Sequence, residues 1–235
     1  MNPNYRLVGI LGGMGPAATV DFMDKIVSLC PARVDQEHIP LIVWNVPQIP
    51  PRAAAIEDEN APSPLPSLLR GARALRDAGA NAIAIVCNTA HFWADEINAE
   101  VDLPLIHIAD ATLKSYQSMF TAQSRSMLLA TGPTARSGIY TTKARELGVN
   151  LELPGSELQR CVDSAITLMK SGDICAAQAA LMPNLIALHR AGVSTFLLAC
   201  TELPLVFYNH PLEQFSVSST QALAQAVIDF SKGCS

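Results

Sequence analysis

The sequence predicts an α/β fold made of two similar lobes, each a mainly parallel sheet flanked by helices. Three observations support this fold class. Short apolar runs alternate with amphipathic stretches along the 235 residues, as is typical of parallel α/β proteins. One segment that ends in a strand occurs twice in the chain. Hydrophobic residues make up 49% of the sequence and charged residues 16%, which is ample for a folded core.

Each apolar run has the length of a buried strand. The eight predicted strands are, in chain order, Leu7–Leu11, Leu41–Val46, Ala82–Val86, Leu105–Ile108, Met127–Ala130, Val149–Leu153, Thr195–Ala199 and Phe215–Val217.

The stretches between the strands have the i, i+3, i+4, i+7 apolar spacing of helices with one buried face. The clearest faces are Leu65, Leu68, Leu69, Ala72 and Leu75, then Leu158, Cys161, Val162, Ala165, Ile166 and Met169, and last Ala222, Leu223, Ala226, Val227 and Phe230. The turn Ser171-Gly172-Asp173 ends one helix with a glycine and caps the next with an aspartate. Pro183 is expected to break or kink the helical pattern from Ile174 to Leu188.

Two internal repeats indicate that the lobes are related. LRDAGANAIAIVCNT (residues 75–89) aligns without gaps with LHRAGVSTFLLACTE (188–202), from a helix end through an Ala-Gly turn and a strand to a cysteine. More weakly, ILGGMGPAA (10–18) matches LLATGPTA (128–135) at Gly-Pro once one residue is skipped. We expect an N-terminal lobe of residues 1–100 and 210–235 and a C-terminal lobe of residues 101–209. A ligand is then expected in a cleft at the carboxyl ends of their strands.

Charge and hydropathy exclude several classes of protein. The net charge is −5 and no Lys/Arg cluster stands out, so a nucleic-acid partner is not expected. The longest apolar runs are far shorter than the roughly 20 residues of a membrane-spanning helix. The apolar stretch near the N-terminus is also too short for a signal peptide. We therefore expect a cytoplasmic protein without a membrane partner.

The six cysteines fall into two groups. No CxxC pair occurs and the five histidines are scattered, so neither a disulfide framework nor a structural zinc site is expected. Cys87 and Cys200 stand out because each follows a strand at a duplicated position and precedes polar residues. For this pair a redox-active disulfide is one alternative, and metal ligation with His91 is a weaker one. The cysteines expected to be inert small hydrophobes are Cys30, Cys161, Cys175 and Cys234.

Two thiols at matching strand ends suggest a two-base site. One thiolate removes a proton from a substrate carbon while the other thiol protonates the opposite face, which inverts the stereocentre. This chemistry needs one sulfur deprotonated and the other protonated. Both cysteines lead into predicted helix starts, where backbone amides favour an anion. Asn88, Thr89 and Thr201 add donors that can hold a substrate carboxylate.

The stretches GILGGMGPAAT, VCNTAH and ACTELP resemble the aspartate/glutamate racemase superfamily, whose members racemise amino acids without pyridoxal phosphate. The resemblance covers essentially the whole chain, and the GGMGP loop is more similar to aspartate racemases than to glutamate racemases. It implies a cofactor-independent racemase of aspartate or, next, glutamate, assembled as a homodimer and without a metal. The alternatives are another two-cysteine isomerase, of the hydantoin racemase or maleate isomerase type, and a catalytically degenerate bilobed ligand-binding protein.

The resemblance also implies roles for individual residues. Cys87 and Cys200 match the paired catalytic thiols. Asn88 and Thr89 match residues that hold the α-carboxylate and the amino group of the substrate. The other implied substrate-binding positions are Met14, Arg52, Thr131, Thr134, Lys170, Thr201 and Glu202.

Three of these positions, and His91, also have ordinary structural interpretations. Arg52 and Lys170 match cations that would bind the side-chain carboxylate of the substrate. An arginine in a proline-rich loop can instead be merely solvated, and a lysine in the last turn of a helix complements its dipole. Glu202 either orients the substrate amine or caps a helix. For His91 we favour a capping role over assistance to a thiol.

The glycine loop at residues 12–15 lies between a strand and a helix, which invites a nucleotide-binding interpretation. Its sequence, GGMG followed by Pro16, is neither GxGxxG nor GxxxxGK[ST]. Pro16 is expected at the first position of the helix. The glycines are better explained by close approach of the backbone to a small ligand.

Overall fold

The computed structural model describes residues 5–234, which form two compact units. Unit 1 comprises residues 5–111 and 220–234, and unit 2 comprises residues 112–219. Residues 1–4 and 235, at the ends of the predicted N-terminal lobe, lie outside the described residues. Within residues 5–234, no helix is both long enough and apolar enough to cross a membrane.

All eight predicted strands are present, with bounds within two residues of the predicted ones. They are β1 (Val8–Gly12), β2 (Leu41–Asn45), β3 (Ala82–Ile85), β4 (Leu105–Ile106), β5 (Ser126–Ala130), β6 (Leu151–Glu152), β7 (Thr195–Ala199) and β8 (Ser216–Ser218).

Helices connect the strands. They are α1 (Pro16–Leu29), α2 (Arg52–Glu57), α3 (Leu65–Asp77), α4 (Ala94–Val101), α5 (Ile108–Met119), α6 (Gly132–Arg136), α7 (Thr141–Glu146), α8 (Ser156–Lys170), α9 (Ile174–Arg190), α10 (Leu203–Phe207) and α11 (Ser219–Lys232). Short 3₁₀ turns occupy Asp35–Glu37, Thr89–Trp93 and Glu213–Phe215.

The two sheets have the same topology. Their strand orders are β2-β1-β3-β4 in unit 1 and β6-β5-β7-β8 in unit 2, and every pairing is parallel. In each sheet the first strand lies between the second and the third. Ligands of open α/β sheets bind at the carboxyl ends of strands where the strand order reverses in this way.

The internal repeat is visible in the backbone. Gly79 and Gly192 both have positive φ, at 90° and 96°. The next amide closes the same loop in each copy: Ala80 N donates to Leu75 O at 3.1 Å, and Val193 N donates to Leu188 O at 3.0 Å. The turn before β3 therefore has the same backbone geometry as the turn before β7, and a cysteine follows each strand at the same distance along the chain.

The sheet of unit 1 is covered by helices on both faces. Leu11 and Ile85 pack on the side of α3 and α4, whereas Ile10 and Val86 pack on the side of α1 and α11. Consecutive strand residues point to opposite faces of the sheet, and both faces are covered. Both sets of residues are therefore apolar, and each strand is a continuous apolar run. This burial holds the carboxyl ends of β1 and β3 rigidly side by side.

The core of unit 2 forms between its sheet and the helices α8, α9 and α10. Asp173 caps α9, since its side chain accepts a hydrogen bond from Ala176 N at 3.0 Å, as predicted. Of the two predicted effects of Pro183, a break or a kink, the break is wrong, because α9 runs unbroken from Ile174 to Arg190. Buried residues on both sides of the proline, including Leu181 and Leu185, anchor the helix and offset the lost backbone hydrogen bond.

Candidate active site

Cys87 lies at the carboxyl end of β3, beside the glycine loop that follows β1. The pairing of these strands continues past β3, since Val86 N donates to Leu11 O at 3.0 Å. The thiol residue is buried, with 5% of its surface exposed. Asn88 and Thr89, the predicted substrate-binding residues after it, are also buried. The sheet therefore brings the thiol, its polar neighbours and the glycine loop to one strand end.

The helical turn after Cys87 differs from the prediction. Cys87 leads into a 3₁₀ turn, Thr89–Trp93, before α4 begins, and Cys200 leads into the five-residue helix α10. A helix start follows each cysteine, as expected, but neither thiol stands at the start of a long α-helix. Because the helix dipole needs aligned peptide units, stabilisation of an anion by a dipole is a weaker argument here than the sequence indicated.

His91 fixes the backbone of Cys87. Its Nδ1 lies 2.9 Å from the carbonyl oxygen of Cys87, and its Nε2 accepts a hydrogen bond from Ile108 N, at the start of α5, at 3.2 Å. Since Nε2 is an acceptor, the proton of the neutral ring is on Nδ1 and is donated to Cys87 O. Burial, with the nearby His107, lowers the pKa of His91 to about 3. The favoured structural role of His91 agrees with this geometry.

The glycine loop is held tightly against the neighbouring strand. Gly13 has φ +92°, and a Cβ at this position would lie 2.4 Å from the carbonyl carbon of Val46. Its amide donates to Oγ1 of Thr19 in α1 at 2.9 Å. Pro16 occupies the first position of α1, as predicted. Glycine is therefore required here for both backbone conformation and space.

Arg52 and Met14 are brought together in unit 1. The guanidinium donates from Nη2 to the carbonyl oxygen of Met14 at 3.1 Å, and from Nη1 to Ile49 O and Pro50 O at 3.2 and 3.1 Å. Its Nε is buried and has no hydrogen-bond partner among the described residues. Arg52 is thus not a freely solvated side chain, because three backbone carbonyls orient it against the glycine loop.

Cys200 lies in the equivalent place in unit 2, at the carboxyl end of β7. Its Sγ donates to Oε2 of Glu202 at 3.0 Å, and Thr201 Oγ1 donates to the same oxygen at 3.1 Å. All three residues are buried. Burial, and then the adjacent Glu202 carboxylate, raise the pKa of Cys200 well above its usual value, while Lys170 acts in the opposite direction. The Cys200 sulfur is therefore held in its thiol form.

Thr131 and Thr134 form a hydroxyl pair after β5. Thr131 caps α6: its Oγ1 lies 2.9 Å from Thr134 Oγ1 and accepts from Thr134 N at 3.4 Å. The pairing of Ala130 with Ala199 brings this loop alongside the strand that precedes Cys200. Lys170, the last residue of α8, is exposed, and its positive charge partly opposes the rise in the pKa of Cys200.

Two further residues touch this loop and were missed from the sequence. Gln159 and Asp163 of α8 hydrogen-bond the backbone on either side of Thr131. Their i, i+4 spacing places them on one side of the helix, beside its apolar face. That spacing could have indicated from the sequence that the two side chains act together. Polar residues next to an apolar face are common on helices, however, and identify no function by themselves.

The two parallel sheets each place a cysteine after the strand that pairs with their first strand. A model of the Asp/Glu/Hydantoin racemase family matches residues 11–227, and the chain belongs to this family. This confirms the resemblance drawn from the motifs and the prediction that the protein is an isomerase of the racemase type. The solved structures of two racemases, described next, confirm the predicted fold class.

Individual relatives agree with this assignment. The chain is 26% identical over 226 residues to the broad specificity amino-acid racemase RacX of Bacillus subtilis (strain 168), covering 94% of this chain and 96% of that protein. An aspartate racemase from Picrophilus torridus is 36% identical with a TM-score of 0.85, over 95% of this chain and 93% of that one. A glutamate racemase, RacE1 of Bacillus anthracis, shares the fold with a TM-score of 0.71 at 15% identity, over 98% and 84% of the two chains.

Proposed function

We propose that the protein is a racemase of aspartate or, next, glutamate that needs no cofactor and uses Cys87 and Cys200 as its two proton-transferring groups. One observation carries the proposal. Each sheet has a buried cysteine after its third strand, next to the loop of its first strand, at aligned positions of an internal repeat. Duplicated folding alone does not require a thiol at this strand end in both copies. Two-base proton transfer requires a group that can take and give a proton in each place, which a thiol can do.

The proposed reaction is a proton transfer at Cα. Cys87, as a thiolate, takes the α-proton, and the thiol of Cys200 gives its proton to the opposite face. The Cα–H bond and the S–H bond of Cys200 break, and a new Cα–H bond and a Cys87 S–H bond form. The raised pKa of Cys200 supports its role as the acid in this direction. In this proposal the donors of Asn88, Thr89 and Thr201 stabilise the enolate-like intermediate, and pyridoxal phosphate takes no part.

In the reverse direction Cys200 acts as the base. Oε2 of Glu202, which already accepts a hydrogen bond from the thiol, is placed to take its proton. The positive charge of Lys170 lowers the pKa of Cys200 and so favours its thiolate. Glu202 is thereby a partner of the thiol, rather than only a helix-capping acid.

Arg52 supports a substrate with a side-chain carboxylate. A guanidinium binds a carboxylate best through two parallel N–H groups. Nη1 of Arg52 is used by two backbone carbonyls and Nη2 by one, while the buried Nε has no partner. We propose that Nε and Nη2 form the edge that binds the substrate. The name of the Picrophilus torridus relative supports aspartate as the first substrate to test.

A racemisation assay tests the proposal. L-aspartate and L-glutamate are incubated separately with the protein in buffer free of pyridoxal phosphate, and the D-enantiomers are measured by chiral chromatography. We expect D-aspartate from the wild type, none from Cys87→Ala or Cys200→Ala, and unchanged activity in the matched control Cys175→Ala, whose thiol is exposed. Failure to racemise either amino acid would contradict the proposal, and turnover of a hydantoin or maleate instead would favour the alternative isomerases. Homodimer assembly and a cytoplasmic location stay predictions.

A further inference from the structure

The backbone on both sides of Thr131 is anchored by the same helix. Nε2 of Gln159 donates to the carbonyl oxygen of Ala130 at 2.9 Å. Oδ1 of Asp163 accepts a hydrogen bond from Gly132 N at 3.0 Å. Both side chains come from α8 and are one helical turn apart. The two peptide groups that join Thr131 to its neighbours are therefore each held by a side chain from outside the loop.

This anchoring controls where the Thr131 hydroxyl points. With both flanking peptides fixed, the Cα–Cβ bond of Thr131 has one direction, and the side chain is restrained further by its contact with Thr134. A threonine also has few accessible rotamers, because its Cβ is branched. The Thr131–Thr134 hydroxyl pair is thus presented in a single arrangement, as a group that binds a substrate must be.

Close packing around Gly132 strengthens the anchoring. A Cβ at Gly132 would lie 2.9 Å from Nη1 of Arg136 and 3.4 Å from Oδ2 of Asp163. The second carboxylate oxygen of Asp163 therefore faces the same point of the backbone as the Arg136 guanidinium. Asp163 approaches the loop with both oxygens, which a residue that only solvates the surface of α8 would not do.

The apolar face of α8 accounts for folding without Gln159 and Asp163. The residues of α8 that enter the core of unit 2 are Val162, Ala165, Ile166 and Met169. Gln159 and Asp163 are only half-buried and lie beside this face. Hydrophobic burial therefore provides the attachment of the helix, which leaves the polar pair available for a role in the loop.

Unit 1 anchors its own loop after the first strand in a comparable way, but with other residues. There the amide of Gly13 is bound by Thr19 of α1, and the carbonyl of Met14 is bound by Arg52 of α2. In both units, side chains from helices hold the backbone of the loop beside the cysteine-bearing strand. The two copies have kept this feature while the residues that provide it differ.

We propose that Gln159 and Asp163 are positioning residues for racemisation, which hold the Thr131–Thr134 hydroxyl pair in place to bind the substrate. This inference rests on the proposed function and extends it to residues that do not touch the reacting atoms. The pair is proposed to hold the substrate and takes no part in the proton transfer, so it contributes to binding in the ground state as well as in the transition state. Loss of positioning should therefore raise KM more than it lowers kcat.

The test compares Asp163→Ala, Asp163→Asn and Gln159→Ala with a control on an exposed part of α8, Arg160→Ala. Two quantities are measured: the protection of the Gly132 amide against hydrogen exchange by NMR, and the steady-state kinetics of aspartate racemisation. For Asp163→Ala we expect the Gly132 amide to lose protection and KM to rise on the order of tenfold, with a smaller change in kcat. Asp163→Asn keeps an oxygen acceptor and should recover most of both properties. Gln159→Ala should raise KM with the Gly132 amide still protected.

The outcomes separate this inference from the proposed function. Unchanged Gly132 protection in Asp163→Ala overturns the anchoring, whatever the activity. Lost protection with an unchanged KM overturns the positioning role, as does an equal rise of KM in Arg160→Ala. A wild type that racemises neither aspartate nor glutamate contradicts the proposed function itself, and the positioning role for that reaction falls with it.

Discussion

The Sγ of Cys200 lies 3.0 Å from Oε2 of Glu202 and donates a hydrogen bond to it. In the internal repeat Glu202 aligns with Thr89, so the thiol of Cys87 has no carboxylate at the corresponding position. Instead, Cys87 is held through its backbone carbonyl by His91. The two copies place a cysteine by the same local fold but surround it with different chemistry, which leads to distinct predictions for the two thiols.

Replacing Glu202 with glutamine should lower the pKa of Cys200. The carboxylate disfavours the thiolate by its charge and by accepting the thiol proton. Glutamine removes the charge and adds an amide N–H that can donate to a thiolate, while burial still disfavours the thiolate. The rate of alkylation of Cys200, followed by peptide mass spectrometry against pH, should therefore rise at lower pH in Glu202→Gln than in the wild type. Glu213→Gln, an exposed change in the same unit, is the control. An unchanged midpoint for Cys200 would show that Glu202 does not restrain the thiol.

His91 should make the protein less stable in mild acid. Its pKa of about 3 in the folded protein lies below the usual value of 6.5, so the unfolded chain binds the proton first as the pH falls. The contribution of the neutral His91 imidazole to the free energy of unfolding is complete above pH 6.5 and is lost between pH 6.5 and 3. At pH 4.5 the loss is roughly 3 kcal/mol. The free energy of unfolding in urea is measured for the wild type and for His91→Asn at pH 7 and at pH 4.5. The advantage of the wild type over the variant should be smaller at pH 4.5 than at pH 7 by roughly 3 kcal/mol. An advantage that does not change with pH would contradict a buried neutral imidazole.

Gly13→Ala should destabilise the protein much more than Gly79→Ala. Both glycines have φ near +90°, but a Cβ at Gly79 meets nothing within 4 Å, whereas one at Gly13 meets the backbone of Val46. The conformational cost alone is about 1–2 kcal/mol, and we expect this for Gly79→Ala. For Gly13→Ala the steric overlap should add at least about 2 kcal/mol. Thermal unfolding of the two variants measures the difference, and similar melting temperatures would contradict the tight packing of the loop.

Arg52→Lys should weaken the use of acidic substrates selectively. Lysine keeps the charge but cannot donate to three carbonyls and also present a planar edge to a carboxylate. We expect KM for aspartate to rise on the order of tenfold or more. The rate with a neutral amino acid such as alanine should change less. Arg70→Lys, an exposed position on α3, provides the control. Equal effects on aspartate and alanine would mean that Arg52 does not bind the side-chain carboxylate.

The strands could be predicted well because each is a continuous apolar run bounded by polar turns. β7, for example, is predicted and found at Thr195–Ala199. A strand buried on both faces carries this signal in its own residues, with no need for partners distant in the sequence. Pro183 shows the opposite case. Its local preference is overridden by packing of Leu181 and Leu185 in the core of unit 2, which depends on residues far along the chain.

The site was predictable to the extent that the internal repeat marked it. Aligning two segments of the chain singled out Cys87 and Cys200. The partners of these residues were harder to find, because hydrogen bonds such as that from Gly132 to Asp163 join positions 31 residues apart. A single sequence does not record which polar side chain on a helix will reach a particular loop.

Solvent deuterium at Cα tests the claim of two thiol bases most directly. L-aspartate is racemised in heavy water, and at early times the recovered L-aspartate and the newly formed D-aspartate are analysed separately by mass spectrometry. Two bases predict deuterium in the D-product and almost none in the remaining L-substrate, because the proton taken by one thiol is not returned to the same face before product leaves. Deuterium appearing at comparable rates in both enantiomers would indicate a single base and contradict the account.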